Sequence, residues 1–328
     1  MILVTGGAGF IGSCLVAELN HLGLQNIIVS DSLGRGDKWQ NLVRANFSAF
    51  VPKNCSVEWL RQHSDQVEAI FHMGACSATT ETDGDYLMAN NFQMSCDLFR
   101  IAAEENIPFI YASSAATYGD GAQGFSDAAS SHAKLMPINK YGFSKHIFDK
   151  WVLSQHTTPN FWAGFKFFNV YGPNEYHKGG QASVVFHAYP QVLNTGRLKL
   201  FKSYKKEFAD GEQKRDFIYV RDVVSVMLHA WKNRRDANSG VYNLGTGEAR
   251  TFVDLGRAVF TALKKEPAFD FIEMPDNVKN QYQYFTQATT EHLRSGLKWN
   301  GKFTSLEDGI REYVGMYLQS GSRYYCHK

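Results

Sequence analysis

Cysteine is scarce in this chain, and its five thiols, Cys14, Cys55, Cys76, Cys96 and Cys326, fall without Cys-x-x-Cys spacing. An odd, scattered set fits reduced thiols in a cytoplasmic protein better than a disulfide scaffold or a zinc site. Charge of one sign is lacking too. The net charge is +2 over 328 residues, with no basic tract or stripe, which speaks against nucleic acid as a partner. No apolar run reaches the ~18 residues of a membrane span. The chain opens on the apolar stretch Met1 to Thr5 rather than on a basic leader, so neither export nor membrane insertion is expected. Repeats and low-complexity linkers are missing. His177 and His187 have no third ligand at metal spacing, so no metal is expected.

What is present is enough chain for a large core, in one large or two modest domains. Ile2-Leu3-Val4, Ile27-Ile28-Val29, Ala69 to His72, Pro108 to Ala112 and Phe161 to Phe168 read as buried strands. Helical stretches about Phe10 to His21, Ser95 to Glu105 and Lys140 to Ser154 alternate with them. That rhythm predicts an α/β protein with a parallel, doubly wound sheet of Rossmann type. After Asn169 the rhythm weakens, with loops over 169–180 and 201–214. The expected division is a dinucleotide-binding domain over 1–168, with a return near 215–240. A smaller α/β substrate-binding domain is expected over 169–214 and 241–328.

Two patterns carry chemistry. Gly7-x-Gly9-x-x-Gly12 follows the first strand directly and opens a helix, in the stretch Thr5-Gly6-Gly7-Ala8-Gly9-Phe10-Ile11-Gly12. There glycines permit the tight turn and let backbone N–H groups approach a pyrophosphate. Asp31, 19 residues past Gly12, ends the second strand and is placed to hold an adenosine ribose. An acid at that place favours NAD. Arg35, Lys38 and Lys53 lie near it in sequence, and such cations either pair with a 2′-phosphate or form a solvated loop. The second pattern is Tyr141-x-x-x-Lys145, a phenol and an ammonium one helical turn apart. A phenol titrates near ~10, and a fixed positive charge beside it favours the phenolate. Lowering it by roughly three units takes about 4 kcal/mol of differential interaction.

With the glycine turn, Ser113-Ser114, Tyr141-x-x-x-Lys145 and Arg215 to Val220 in this order, the chain resembles the extended short-chain dehydrogenase/reductases, the superfamily of NAD-dependent epimerases and dehydratases. The resemblance implies that Ser114, Tyr141 and Lys145 form the catalytic unit. Within that superfamily the chain is similar to the ADP-L-glycero-D-manno-heptose 6-epimerases. The shared segments are Met73-Gly74-Ala75-Cys76-Ser77, Tyr111 to Gly119, Phe168 to Pro173, His177-Lys178-Gly179, Ala182-Ser183-Val184 and Phe285 to Ala288. This implies a cytoplasmic isomerase of lipopolysaccharide inner-core heptose synthesis. It would invert C6 of ADP-D-glycero-β-D-manno-heptose with bound NADP, or sometimes NAD. The family forms homo-oligomers, pentamers among them.

Carried onto this chain, the family's cofactor contacts are Gly6, Gly9, Phe10, Ile11, Gly12, Asp31, Ser32, Lys38, Lys53, Met73, Gly74, Ala75, Cys76, Ser77, Asn91, Lys145, Val170 and Lys178. Lys38 and Lys53 match the positions associated with the 2′-phosphate, which points to NADP. The substrate contacts are Asn169, Gly180, His187, Phe201, Lys202, Ser203, Tyr204, Arg215 and Tyr282. Met73 stands where some members have Glu, and Gly180-Gln181 where some have Ser-Met. Epimerisation at a carbinol requires a planar carbon, here a 6-keto intermediate reached by hydride transfer. The two epimers present their hydroxyl hydrogens in different directions, so two bases are assigned, Tyr141 and, following the family, Lys178. Without the resemblance Lys178 reads rather as a pyrophosphate-binding or solvated lysine. Lys145 is expected to lower the phenol's pKa and Ser114 to hydrogen-bond the reacting oxygen. Arg215 is expected to clamp phosphate, or else to pair with Asp216 or Asp222. The alternatives are a UDP-hexose 4-epimerase, a 4,6-dehydratase and a non-catalytic NADP-binding regulator. Ala115-Ala116 disfavours the dehydratase, since they stand where elimination needs an Asp-Glu pair.

Overall fold

The computed structural model describes residues 1–279, 282–320 and 323–325; Cys326 and the end of the C-terminal tail lie outside them. The chain alternates through β1 (Ile2–Thr5), α1 (Phe10–His21), β2 (Ile27–Asp31), β3 (Ala49–Pro52), α2 (Ser56–His63), β4 (Ala69–His72), α3 (Gly84–Leu87), α4 (Met94–Glu104), β5 (Phe109–Ser114), α5 (Lys140–Leu153) and β6 (Trp162–Phe167). It continues through β7 (Asn169–Tyr171), α6 (Val184–Thr195), β8 (Leu198–Phe201), β9 (Lys214–Tyr219), α7 (Val220–Lys232) and β10 (Gly240–Leu244). β11 (Ala249–Thr251), α8 (Phe252–Ala262), β12 (Phe269–Ile272), α9 (Asp276–Lys279), α10 (Glu291–Leu297) and α11 (Leu306–Glu312) complete the order.

Seven strands form one parallel sheet in the order β10-β6-β5-β4-β1-β2-β3. The pleat explains why these strands are apolar throughout. Ile2 and Val4 point to one face, where Leu15 and Leu19 of α1 and Val223 and Met227 of α7 cover them. Leu3 points to the other, against Leu60 of α2, Leu98 and Phe99 of α4 and Phe148 of α5. The sheet is therefore wound on both sides. A second sheet orders as β11-β9-β7, with β9 parallel to β7 and antiparallel to β11, and β12 pairs with β8.

The later boundaries differ from expectation. Asn169–Tyr171 is a strand rather than loop, and Lys214–Tyr219 pairs with it instead of returning to the large sheet. α7 does return to the large sheet within 215–240, and so does the strand Gly240–Leu244, which the residue pattern assigned to the smaller unit and which hydrogen-bonds along β6. A strand's apolar run does not name its sheet; pairing decides that, and pairing is long-range. β3 and α2 also went unread, because β3 is an edge strand with only Val51 buried. α4 continues from a helical segment that opens at Gly84, capped by Asp83, whose carboxylate accepts from the Tyr86 N–H.

Order reverses between β1 and β4: the chain builds outward to β3 on one side and to β6 on the other. The crevice at the carboxyl ends of these two strands is where such sheets bind ligands. Beside it the tail turns back on the body, with Tyr325 N–H donating to Asn174 Oδ1 at 2.9 Å and Tyr324 OH to Gln40 Oε1 at 2.6 Å.

Packing inside the sheet is tight enough to test. A Cβ on Gly164 of β6 would stand 2.2 Å from Cζ of the fully buried Tyr111 on β5. Gly164→Ala is expected to destabilise by about 1–3 kcal/mol through overpacking. A urea midpoint equal to the wild type's would contradict this reading.

Candidate active site

The glycine turn sits over the reversal point. Gly6 has φ +65°, and a Cβ there would meet Gly74 Cα at 2.6 Å; one on Gly12 would meet Gly6 O at 2.2 Å. Glycine at both is thus a matter of space as well as dihedral freedom. α1 starts at Gly9 with no side-chain cap and no acid in its first turn, leaving N–H groups turned toward an anion. Asp31, at the end of β2, accepts from Ala8 N–H at 2.9 Å, Ser32 N–H at 2.6 Å and Lys38 Nζ at 2.5 Å. Lys53 Nζ donates to Asn90 Oδ1 at 2.7 Å.

A cleft of about 750 Å³ runs from these groups across the ends of the strands, a volume suited to an organic ligand. Gly6, Gly9, Phe10, Ile11, Gly12, Asp31, Ser32, Lys38, Lys53, the stretch from Met73 to Ser77, Val170 and Lys178 all line it. Ser114, Tyr141, Lys145, Asn169, Arg215 and Tyr282 line the same space. Asn91 does not: its amide accepts from Cys76 N–H at 2.8 Å and donates to Cys76 O at 2.9 Å and Ser144 Oγ at 3.0 Å. It shapes the 73–77 loop from behind, and Asn90 faces the cleft instead. Gly180, His187, Phe201, Lys202, Ser203 and Tyr204 are also outside the lining. Lys202 pairs with Glu273 at 2.8 Å, Tyr204 OH hydrogen-bonds Glu273, and Ser203 N–H donates to Asp210 Oδ1 at 2.7 Å. The loop after β8 thus spends its polar groups on itself and on β12's end.

Tyr141 and Lys145 come to the cleft on one face of α5. Asn139 caps this helix, its side chain accepting from Gly142 N–H at 2.7 Å. A Cβ on Gly142 would meet Ala116 O at 2.6 Å, so the helix start presses on the turn after β5 and brings Tyr141 to Ser114. Residue patterns missed both devices, although an Asn before a helix followed by a Gly is a readable signal.

Electrostatics here differ from expectation. Burial pushes the Tyr141 phenol above its ordinary value; the Ser114 hydrogen bond opposes this, while Cys76 and Asp149 add to it. Lys145 is not among the groups that lower it. Its Nζ donates to Ala112 O at 2.8 Å, and burial brings it down to about 8. Lys178 lies 5.8 Å over the Phe10 ring, and burial lowers its pKa too. Arg215 is buried, with a hydrogen bond to Lys214 O at 3.0 Å and its guanidinium 5.0 Å over the Tyr282 ring. Neither expected acid pairs with it among the described residues. Asp216 is taken by Thr246, Gly247 and Ala288, and Asp222 by Thr304. Burial lowers the Arg215 pKa, which marks a cation short of an anionic partner. Among the described residues no three His, Cys, Asp or Glu side chains group as metal ligands, and no helix is long and apolar enough to cross a membrane.

A doubly wound sheet with a glycine turn at its reversal point, and Ser, Tyr and Lys meeting beside it, agrees with the comparison by family. Residues 2–245 match the NAD dependent epimerase/dehydratase family, and the chain belongs to that family. Within it, the chain is 49% identical to the ADP-L-glycero-D-manno-heptose-6-epimerase of Fusobacterium nucleatum subsp. nucleatum, over 99% of this chain and 100% of that protein. It is 47% identical to the enzyme of the same name from Nitratidesulfovibrio vulgaris strain DP4, over 97% of this chain and 98% of the relative. The crystal structure of the Helicobacter pylori ADP-L-glycero-D-manno-heptose-6-epimerase superposes with a TM-score of 0.77 at 31% identity, covering 96% and 95% of the two chains. The uncapped helix start, the glycine contacts and Asp31 fit a nicotinamide dinucleotide.

Behind the turn runs a directed chain of hydrogen bonds. Gly74 N–H donates to Thr5 Oγ1 (3.2 Å), which meets His72 Nδ1 (2.7 Å); His72 Nε2 meets Ser95 Oγ (2.8 Å), which donates to Asn91 O (2.7 Å). Since Ser95 gives its hydrogen to Asn91, His72 must donate at Nε2; burial keeps the ring neutral, so Nδ1 accepts from the Thr5 hydroxyl. Burial, with the Lys145 charge, lowers its pKa from 6.5 to about 3. Below pH 6.5 the unfolded chain binds a proton that the folded chain refuses. Stability present above that pH is therefore lost as pH falls toward about 3. His72→Gln should flatten the dependence of unfolding free energy on pH below 6.5 by up to about 1.4 kcal/mol per pH unit. Urea titrations at several pH values test this, and an unchanged slope would refute the neutral assignment.

Proposed function

We propose that the protein interconverts ADP-D-glycero-β-D-manno-heptose and ADP-L-glycero-β-D-manno-heptose at C6, through a 6-keto intermediate, in lipopolysaccharide inner-core heptose synthesis. The observation that carries this reading is a second ionisable side chain, Lys178, lining the cleft that holds Tyr141. The substrate follows from the full-length relatives named above. When bound, the nicotinamide dinucleotide supplies the hydride acceptor and donor, and in its oxidised form a positive charge beside the phenol.

Tyr141, entering as its phenolate, takes the hydroxyl proton at C6 of one epimer on Oη and becomes the phenol as the carbon becomes planar. Ser114 Oγ donates a hydrogen bond to that oxygen in the ketone. After the sugar terminus turns, Lys178 Nζ gives a proton to the same oxygen as hydrogen returns to the other face of C6. The reverse direction uses the same groups in opposite order. Burial helps Lys178, since a lowered pKa brings a lysine nearer to working pH. Arg215 is assigned to the phosphate groups, where the buried guanidinium gains the anion that the chain does not give it. Asn169 and Tyr282 line the sugar side.

For the cofactor we propose NADP. Lys38 at 2.5 Å from Asp31 offsets the carboxylate charge that would repel a 2′-phosphate, and Lys53 lines the same end of the cleft. Residence in the cytoplasm and a homo-oligomeric state, a pentamer by resemblance, complete the proposal; sedimentation of the purified protein tests the latter.

Purified protein is expected to interconvert the two ADP-heptoses with no net use of cofactor. Activity on UDP-glucose with ADP-heptose inert would overturn the reading. Mass spectrometry of the nucleotide released on denaturation decides between NADP and NAD. Because a reversible reaction loses rate equally in both directions, the two bases are separated by half-reactions on an analogue that stops at the carbonyl stage. Tyr141→Phe and Lys178→Met should each slow a different half-reaction by about 10²–10⁴-fold. Intact half-reactions in Lys178→Met would remove the second base.

A further inference from the structure

Behind the cleft lies a buried ion pair that the reaction does not touch. Asp149 stands one turn after Lys145 on α5, Lys166 stands on β6, and neither has any solvent exposure. Asp149 Oδ2 accepts from Lys166 Nζ at 2.6 Å and from Ser113 Oγ at 2.7 Å, while Oδ1 accepts from Tyr111 OH at 3.0 Å. Lys166 Nζ also donates to Thr117 Oγ1 at 2.7 Å, and the Thr117 hydroxyl donates to the carbonyl of Ser114 at 2.8 Å. The Tyr118 ring lies 5.2 Å from the same ammonium.

Stability does not account for such a pair. Removing two charges from water offsets most of their attraction, and apolar residues of equal volume are often neutral or stabilising in their place. Its connections suggest another role. Ser114 is held on both sides: Asp149 binds the residue before it, and Lys166 binds its carbonyl through Thr117. Asp149 belongs to the helix that presents Tyr141 and Lys145. We propose that the Asp149–Lys166 pair and Thr117 are positioning residues that hold the Ser114 hydroxyl on the Tyr141 phenol. This rests on the reading of Ser114 and Tyr141 as the proton-transferring unit.

The charged and titratable groups facing Asp149 are Lys166 on β6, Tyr111 on β5, Tyr118 in the turn after it, His132 before α5, and Tyr141, Lys145 and His146 on its own helix. Burial raises the Asp149 carboxyl, but Lys166 and Ser113 bring it below the ordinary carboxylate range, so the pair is charged. Since the Ser114 hydrogen bond lowers the phenol, loosening Ser114 must raise it.

The test uses the full chain. Thr117→Val removes one hydroxyl at constant shape. It is expected to lower kcat about 10-fold or more with KM little changed, as misplaced groups do. It is also expected to raise the Tyr141 pKa, followed as tyrosinate absorbance in difference against Tyr141→Phe. Thr117→Ser should restore both. The double variant Asp149→Leu, Lys166→Met leaves the Tyr111 and Ser113 hydroxyls without an acceptor, so it should unfold at a lower urea concentration than wild type and lose about 100-fold in kcat while still folded. If it does not fold, Thr117→Val decides alone. An unchanged kcat or an unchanged phenol titration in Thr117→Val overturns the proposal. The titration needs no heptose. A wild type inert toward ADP-heptose would therefore remove the substrate reading while leaving this one open to decision.

Discussion

Contact between two backbones governs this site. The turn after β1 and the loop after β4 touch at Gly6 and Gly74, with no room for a Cβ between them. That contact follows from the sheet's reversal of order, which sets β1 and β4 side by side with their carboxyl ends diverging into loops. Everything on the cofactor side is built from it. It aims the start of α1 at the cleft and places the 73–77 loop along the wall. Through that loop's hold on Asn91 it reaches Ser144 on α5. The helix of Tyr141 is thus joined to the glycine turn by polar contacts as well as by the sheet.

Much of this was legible in the residues, for definite reasons. Strands buried on both faces read as unbroken apolar runs, and the glycine turn has a spacing that little else requires. Tyr141 and Lys145 are local neighbours, so one helix suffices to bring them together. The unread parts depend on distance along the chain. Val241 to Leu244 looks like any buried strand, and only its pairing with β6 shows which sheet it completes. Asn91 was placed at the cofactor by resemblance, yet its amide is consumed by Cys76 and Ser144. The Phe201–Tyr204 stretch was expected at the substrate, and internal hydrogen bonds hold it outside the lining.

The expectation that Lys145 lowers the phenol's pKa is not met within the chain. Proximity in sequence suggested that the ammonium would draw the phenol down. In the fold both groups are buried, and desolvation acts against the charged form of each. It raises the tyrosine and lowers the lysine to about 8, so the two groups move apart and the lysine falls below the phenol. What favours the phenolate within the chain is the neutral hydroxyl of Ser114. Dry surroundings strengthen whatever charge a bound dinucleotide brings, which is the compensation for a raised starting point.

The hydrogen-bond chain through Thr5, His72 and Ser95 begins on a peptide N–H and ends on a peptide carbonyl. Neither end exchanges a proton readily with solvent, and every link between them points one way. Such a chain is an insulator rather than a wire. It runs directly beneath the cofactor loop, yet it offers protons no route through the sheet. Whatever protons the cleft exchanges, this path carries none of them to the far face of the sheet.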